Sequence, residues 1–210
     1  MFRKMIASFI IMTIFATATL FYLIASADGD NRTDMTDVDF SFEDEGYYFY
    51  MTDGEIASAI QEARESIRLT DPFQLTTNNT ETVLEEISFV YVEPPELTVK
   101  LEARRILDHF GRTPSVPEIK DELSDRYLPV NARFYDHYAY VFDVTVSQGI
   151  GDEAEEVDTY EANKSSGSLK SVLMDMGQVD TNRPLHIRFE DTSDPSVYVT
   201  YSLDFDDYRQ

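Results

Sequence analysis

The chain contains no cysteine among its 210 residues. Disulfide scaffolds, zinc fingers, cysteine nucleophiles and lipid anchors attached through cysteine are therefore excluded. A domain without disulfides must rely on its apolar core for stability. The composition allows such a core, because 13 Tyr and 14 Phe residues supply large surfaces to bury.

Basic residues are scarce, with 17 Lys and Arg against 40 Asp and Glu, and only 5 of the 17 are Lys. A surface of this sign excludes ordinary binding to the phosphates of nucleic acids. The acids are spread through every predicted element, which favours a role in solvation. Scattered carboxylates with few lysines are typical of proteins that work in concentrated salt, where self-repulsion is screened. We therefore expect a halophilic source, with an ordinary acidic protein as the alternative.

One long uncharged run, residues 5–27, follows Arg3 and Lys4. At about 1.5 Å per helical residue it can cross a hydrocarbon core of about 30 Å. Because cationic residues stay on the cytoplasmic side, the N-terminus is predicted to lie inside and everything after Ala27 outside. Residues 1–27 are thus expected to be a transmembrane segment or an uncleaved signal.

The end of this run also resembles a cleavage site. Ala25, Ser26 and Ala27 have the small-x-small form that signal peptidase accepts, and cleavage after Ala27 would release a secreted protein. The apolar region spans residues 6–24, whereas a typical signal peptide has about 7 to 15 apolar residues. This length favours a retained anchor, and both fates fit the sequence.

Beyond the leader, residues 28–39 are polar, acidic and without periodicity, which predicts a tether between the membrane and a folded domain. Residues 40–210 have the length of one extracytoplasmic domain. All 40 acidic residues but only 15 of the 17 basic residues lie beyond Ala27, so the exported part carries a net charge of −25.

Three helices are predicted in this domain. Capping boxes open a helix over about 52–67 and a shorter one over about 115–126. Residues 97–110 fit both strand and helix spacing, and Gly111, which suits the position after a helix, favours the helix.

Predicted strands include residues 47–51, residues 83–92 as a central strand, and the aromatic segment 132–147. Tyr138, Tyr140 and Phe142 would share the inward face of that last strand. Apolar and polar residues alternate over 185–189 and again over 197–205, which predicts a C-terminal hairpin. The expected fold class is α+β: an N-terminal transmembrane helix followed by one mixed domain of about five strands and three helices.

His109, His137 and His186 are the only imidazoles that could bind a metal or transfer a proton. None has a ligand partner at helical i, i+4 spacing, and the motifs HExxH, GxSxG and SxxK are absent. Structural histidines are the favoured interpretation. We predict no catalytic residue and no resident cofactor.

Calcium is the metal that the acidic residues favour. Asp204, Asp206 and Asp207 place hard oxygen ligands close together, as does the acidic segment 152–158. Neither has the spacing of an EF-hand, and solvated carboxylates are the alternative.

Asn31, Asn78 and Asn163 begin glycosylation sequons on polar segments of an exported chain.

Two classes of function fit these features. The leading one is a non-enzymatic, membrane-anchored domain that makes protein contacts at the cell surface, as an accessory or structural subunit. The alternative is a secreted or anchored hydrolase that uses a divalent ion. A deep pocket containing a histidine and two carboxylates would favour the hydrolase, whereas an exposed aromatic patch would favour the contact domain.

Overall fold

The computed structural model describes residues 46–77, 84–123, 126–149, 154–162 and 165–208, which belong to one compact unit. The predicted membrane segment 1–27, the tether 28–39 and the first residues of the predicted domain lie outside the described residues. Within the described part of the chain, no helix is long and apolar enough to cross a bilayer.

The first helix, α1, spans Asp53–Glu65 and begins at the predicted capping box. The Glu55 amide donates to the Thr52 hydroxyl at 3.2 Å, and the Thr52 amide donates to Glu55 Oε2 at 2.7 Å. This pair satisfies backbone donors that the first helical turn leaves unpaired. The helix ends before Ile67, which is exposed, so the apolar face is shorter than expected.

Two further helices follow later in the chain. Helix α2 spans Pro95–Phe110, and helix α3 spans Val116–Lys120. Gly111 ends α2 with a φ of 66°, a left-handed conformation that glycine adopts without a Cβ penalty. The helical interpretation of residues 97–110 is therefore confirmed. Helix α3 opens at the predicted capping box but stops well before Arg126.

Nine strands lie in the described residues and form two antiparallel sheets. The five-stranded sheet has the order β1-β9-β8-β4-β5, and the four-stranded sheet has the order β2-β3-β7-β6. The strands are β1 Thr76–Thr77, β2 Ile87–Val92, β3 Tyr127–Phe134, β4 Phe142–Gln148, β5 Glu155–Val157, β6 Thr159–Glu161, β7 Leu169–Asp175, β8 Leu185–Asp191 and β9 Tyr198–Leu203.

The mixed α+β class and the three helices are confirmed, and so is the C-terminal hairpin, in which β8 pairs with β9. The strand count is larger than the expected five. Strands β1, β5 and β6 have only two or three residues each, too few to show an alternating pattern in the sequence.

The prediction of one strand over residues 132–147 is wrong. The chain leaves the four-stranded sheet after Phe134, makes a 3₁₀ turn at Ala139–Val141 and enters the five-stranded sheet at Phe142. Phe142 is buried as expected, but Tyr138 and Tyr140 are exposed. Each half finds its own partners, β3 with β2 and β7, and β4 with β8 and β5. Apolar and polar residues alternate almost continuously over this segment, and only the pairing with different strands separates it into two.

Residues 47–51 are not a strand either. The Tyr50 amide donates to the carbonyl of Tyr47 at 3.0 Å, which closes a turn. Tyr47 and Phe49 are buried, and the rings of Tyr48 and Phe49 pack on the C-terminal 3₁₀ turn, where Tyr48 and Phe205 meet edge to face with centroids 5.3 Å apart. Aromatic residues with high strand propensity therefore find burial without a sheet partner.

Strand β2 lies at the end of its sheet and not at its centre, which corrects the expectation for residues 83–92. Its second half is nevertheless buried, because the preceding segment runs along its outer edge. The Leu75 amide donates to the carbonyl of Val90 at 2.8 Å, and Gln74 forms a single bridge with Tyr91. The apolar residues on both faces of β2 are therefore explained by an edge strand that another segment covers.

One apolar cluster contains residues of all three helices and of both sheets. Buried polar side chains within this core are hydrogen-bonded to other protein groups. The Ser171 hydroxyl donates to Asn131 Oδ1 at 2.7 Å, and Gln148 Nε2 donates to the carbonyls of Asp180 and Arg183 at 2.8 and 3.0 Å. The Gln148 bonds hold the loop that leads into β8.

Candidate functional site

An exposed aromatic group lies on the connection between β3 and β4, residues 135–141, which we call the tyrosine connection. The exposed fractions of Tyr135, Tyr138 and Tyr140 are 70%, 44% and 73%. Contiguous exposed apolar patches mark contact sites on soluble proteins, and closely spaced exposed tyrosines on one connection are candidates for such a patch. Tyr160, on strand β6, is 50% exposed and lies outside this group.

Backbone hydrogen bonds hold the tyrosine connection along its length. The Tyr135 amide donates to the carbonyl of Glu86 at 3.0 Å, and the Ala139 amide donates to the carbonyl of Gly167 at 2.9 Å. At the far end, the Thr192 amide donates to the carbonyl of Val141 at 2.9 Å. Three separate segments thus fix the backbone that carries the tyrosines.

The middle of the connection packs closely against the turn before β7. A Cβ atom built on Gly167 would lie 2.4 Å from His137 Nδ1, closer than side chains approach in proteins. Glycine is therefore required at this position for His137 to keep its place. His137 is itself exposed, and its ring lies against the backbone of Gly167.

A second feature is a cleft of about 510 Å³, which we call the aromatic cleft. It lies where residues 48–51 meet the first turns of α1 and α2 and the C-terminal 3₁₀ turn. Its lining is aromatic and proline-rich, with a few charged groups. The lining residues are Tyr48, Phe49, Tyr50, Met51, Glu55, Pro72, Phe73, Pro94, Pro95, Glu96, Lys100, Asp207 and Tyr208.

Lys100 is the only cation among these lining residues, and two carboxylates bind it. Its Nζ atom lies 2.7 Å from Glu62 Oε2 on α1 and 2.5 Å from Glu96 Oε1 on α2. Burial lowers the pKa of Lys100, but the hydrogen bonds and charges of the two glutamates outweigh it, so the pKa is raised. The ammonium group also lies 5.9 Å from the ring centroid of Phe73.

The carboxylates at the cleft differ in their surroundings. Glu55 accepts the capping hydrogen bonds from Thr52, first from the backbone amide, and these bonds lower the pKa of its carboxyl group. The Asp207 carboxylate makes no hydrogen bond or ion pair with another described residue. Burial, together with the charge of Asp207, raises the pKa of the neighbouring Tyr208 to about 12, so this phenol stays neutral.

The three histidines lie on different elements and form no common site. His109 is on the last turn of α2, where its Nδ1 atom lies 2.9 Å from the carbonyl of Arg105. His137 is on the tyrosine connection, and His186 is on β8. No histidine lines the aromatic cleft.

Asp204, Asp206 and Asp207 lie together at the start of the C-terminal 3₁₀ turn, and all three are exposed. The Asp206 amide donates to Asp204 Oδ1 at 3.0 Å. Over the described residues, no group of three or more His, Cys, Asp or Glu side chains is arranged to hold a metal ion. The glycosylation candidates Asn31, Asn78 and Asn163 lie outside the described residues.

Sequence reasoning missed both aromatic features. The polar pair Asp136 and His137 interrupts the aromatic alternation and was the available signal that the strand is broken there. The cleft had no comparable signal, because its lining comes from four segments that are distant in sequence.

Comparison of the chain with protein-family models, with curated proteins and with solved structures gives no match.

Proposed function

We propose that this protein is a membrane-anchored domain outside the cytoplasm that makes protein contacts at the cell surface, as an accessory or structural subunit. The observation that carries the proposal is the tyrosine connection, with three exposed tyrosines within six residues. Tyrosine combines a large apolar face with a polar hydroxyl and is enriched at the energetic centres of protein interfaces.

The fixed backbone of the tyrosine connection supports the same proposal. Binding costs free energy when loops and side chains must be ordered at the interface. Hydrogen bonds to Glu86, Gly167 and Thr192 already order this connection, and the close packing of His137 on Gly167 adds to them. The tyrosines are therefore presented on a preorganised surface, where each buried ring contributes more of its contact energy to affinity.

Anchoring and location rest on the sequence. The uncharged run 5–27 is long enough to span a bilayer, and Arg3 and Lys4 precede it. The net charge of −25 beyond Ala27 favours a domain that works in concentrated salt. We therefore propose a halophilic source and a surface that meets its partner outside the cell.

A photo-crosslinking amino acid tests the contact surface. We would place benzoylphenylalanine at position 138 of the full chain, in its native membrane, and identify the adducts by mass spectrometry. The matched control carries the same group at position 160, which is a comparably exposed tyrosine on strand β6. We expect a defined protein adduct from position 138 and none of it from position 160. Equal adducts from both positions, or none from position 138, would contradict the proposal.

Protease added to intact cells tests the location. The domain should be digested from outside, while an epitope placed before Arg3 stays protected until the cells are lysed. The mass of the mature chain separates a retained anchor from cleavage after Ala27. Protection of the domain in intact cells would rule out the proposed orientation.

A further inference from the structure

The aromatic cleft combines aromatic rings with a lining in which negative charge predominates. Its lining includes three carboxylates, those of Glu55, Glu96 and Asp207, and one ammonium group, that of Lys100. The carboxylates therefore outnumber the cation within a volume of about 510 Å³, which is within the usual range of ligand sites. An anionic ligand would meet a negative surface here.

Lys100 is not available to attract an anion, because Glu62 and Glu96 bind its ammonium group. The helix ends at the cleft are also compensated. The N-terminus of α1 is capped by Thr52 and Glu55, and α2 begins with Pro94 and Pro95, which have no amide hydrogen to donate. Fewer backbone donors than usual are therefore left for an anion at these helix N-termini.

The remaining polar groups of the cleft suit a cation. Asp207 makes no ion pair with another described residue, and it lines the cleft together with Tyr208, whose phenol is affected by its charge. The ring of Tyr208 is stacked on Phe73, with the centroids 6.1 Å apart and an angle of 10° between the planes. An aromatic face beside a carboxylate attracts an ammonium or guanidinium group through both the ring quadrupole and the charge.

We propose that the aromatic cleft binds an organic cation, with its ammonium or guanidinium group held between the ring of Tyr208 and the carboxylate of Asp207. The cleft already accommodates one cation in this way, since the ammonium of Lys100 lies near the ring of Phe73 with carboxylates around it. A second cation at Asp207 would repeat that arrangement on the open side. The ligand is either a basic side chain of another protein or a free small amine.

Binding is measured on the full chain in detergent micelles, with ¹³C-labelled tyrosine rings observed by NMR. The probes are acetyl-Gly-Arg-Gly-amide, acetyl-Gly-Lys-Gly-amide, methylguanidinium and tetramethylammonium, and acetyl-Gly-Gln-Gly-amide is the neutral control. A chelator is present, so that a divalent ion cannot compete at Asp204 to Asp207. We expect saturable shifts of the Tyr208 ring with the cations and none with the neutral peptide.

Charge variants separate this site from general attraction to an acidic protein. Asp207→Asn should weaken binding about tenfold, since a charge-assisted hydrogen bond is lost. Asp143→Asn removes the same charge from an exposed position on strand β4, away from the cleft lining, and should leave the affinity within about twofold. Because Asp207 is exposed, the variant is expected to fold, which a thermal melt verifies.

Ring variants test the aromatic half of the site. Tyr208→Phe keeps the ring and should bind as the unaltered chain does, whereas Tyr208→Leu should weaken binding about threefold or more. Tighter binding of the peptides than of the free cations identifies a protein side chain as the ligand, and the reverse identifies a small amine. The proposal would be overturned if Asp207→Asn and Asp143→Asn weakened cation binding equally. It would also be overturned if the neutral peptide bound as tightly as the cationic peptides, or if no cation bound.

Discussion

The rings of Phe134 and Phe142 are stacked, with their centroids 5.4 Å apart and an angle of 26° between the ring planes. Phe134 is the last residue of β3 and Phe142 the first residue of β4, so the pair joins the two sheets. The tyrosine connection begins directly after the first ring and ends directly before the second. The stack therefore fixes both ends of the proposed contact surface as well as part of the core.

The first prediction compares Phe142 with Tyr140. Phe142→Ala should lower the free energy of unfolding by about 3 to 5 kcal/mol, because it removes a buried ring and leaves a cavity beside Phe134. Tyr140→Ala should change it by less than about 0.5 kcal/mol, because Tyr140 is exposed. Denaturant unfolding of the full chain in micelles measures both. Similar losses at the two positions would mean that Tyr140 is packed in the core.

The second prediction concerns the buried pair of Asn131 and Ser171, both fully buried in the four-stranded sheet. Ser171→Ala removes the hydroxyl that donates to Asn131 Oδ1 and leaves that oxygen without this donor. The free energy of unfolding should fall by roughly 1 to 3 kcal/mol. Adding Asn131→Val to Ser171→Ala removes the stranded oxygen together with the bond that Asn131 Nδ2 donates to Glu93 Oε2 at 3.0 Å, so the double variant should lose less than the sum of the two single effects. A double variant that loses the sum of both single effects would show that the pair is not coupled.

Local features of the fold could be predicted where a few neighbouring residues decide the structure. The capping boxes at Thr52 and Ser115 mark where α1 and α3 begin, since each needs only a hydroxyl and a glutamate three residues later. Gly111 likewise marks the end of α2. The alternation in β8 and β9 predicts their pairing because one face of that hairpin is buried.

Features decided by distant segments could not be predicted. Tyr138 and Tyr140 alternate with Phe142 in the sequence, and only the division of the chain between two sheets turns them outward. The aromatic cleft joins Tyr48 to Tyr208, and no local spacing relates these residues. An apolar pattern shows that a side chain prefers burial, but the tertiary partners decide which residues are buried.

The third prediction is a pH dependence located at Glu55. Hydrogen bonds from Thr52 lower the pKa of Glu55 below its ordinary value of 4.5, so its charged form stabilises the folded state. This contribution is present at neutral pH and is lost as the pH falls through the lowered pKa. Glu55→Gln should therefore cost roughly 0.3 to 1 kcal/mol at pH 7, which is typical of a charge at an exposed helix N-terminus, and progressively less as the pH falls through the lowered pKa.

Glu65→Gln is the matched control for Glu55, because Glu65 lies in the last turn of the same helix. A negative charge there is unfavourable to the helix dipole, so its removal should not destabilise the chain at pH 7. Thermal melts of the two variants and the unaltered chain between pH 3 and pH 7 provide the comparison. If the difference in melting temperature between Glu55→Gln and the unaltered chain stayed constant with pH, the pH dependence would not come from Glu55.

The last prediction concerns salt. With a net charge of −25 beyond Ala27, mutual repulsion of carboxylates should destabilise the folded domain at low ionic strength. The Debye length falls from about 30 Å at 0.01 M to about 10 Å at 0.1 M and 3 Å at 1 M. The melting temperature should therefore rise with KCl, most steeply below about 0.1 M, where the screening of distant charges changes most. Sucrose at matched osmolarity stabilises proteins by exclusion without screening charge, and it should give a smaller and more gradual rise. A melting temperature that stays flat or falls from low to molar KCl would remove the argument for a halophilic source, because the acidic surface would then carry no repulsion for the salt to relieve.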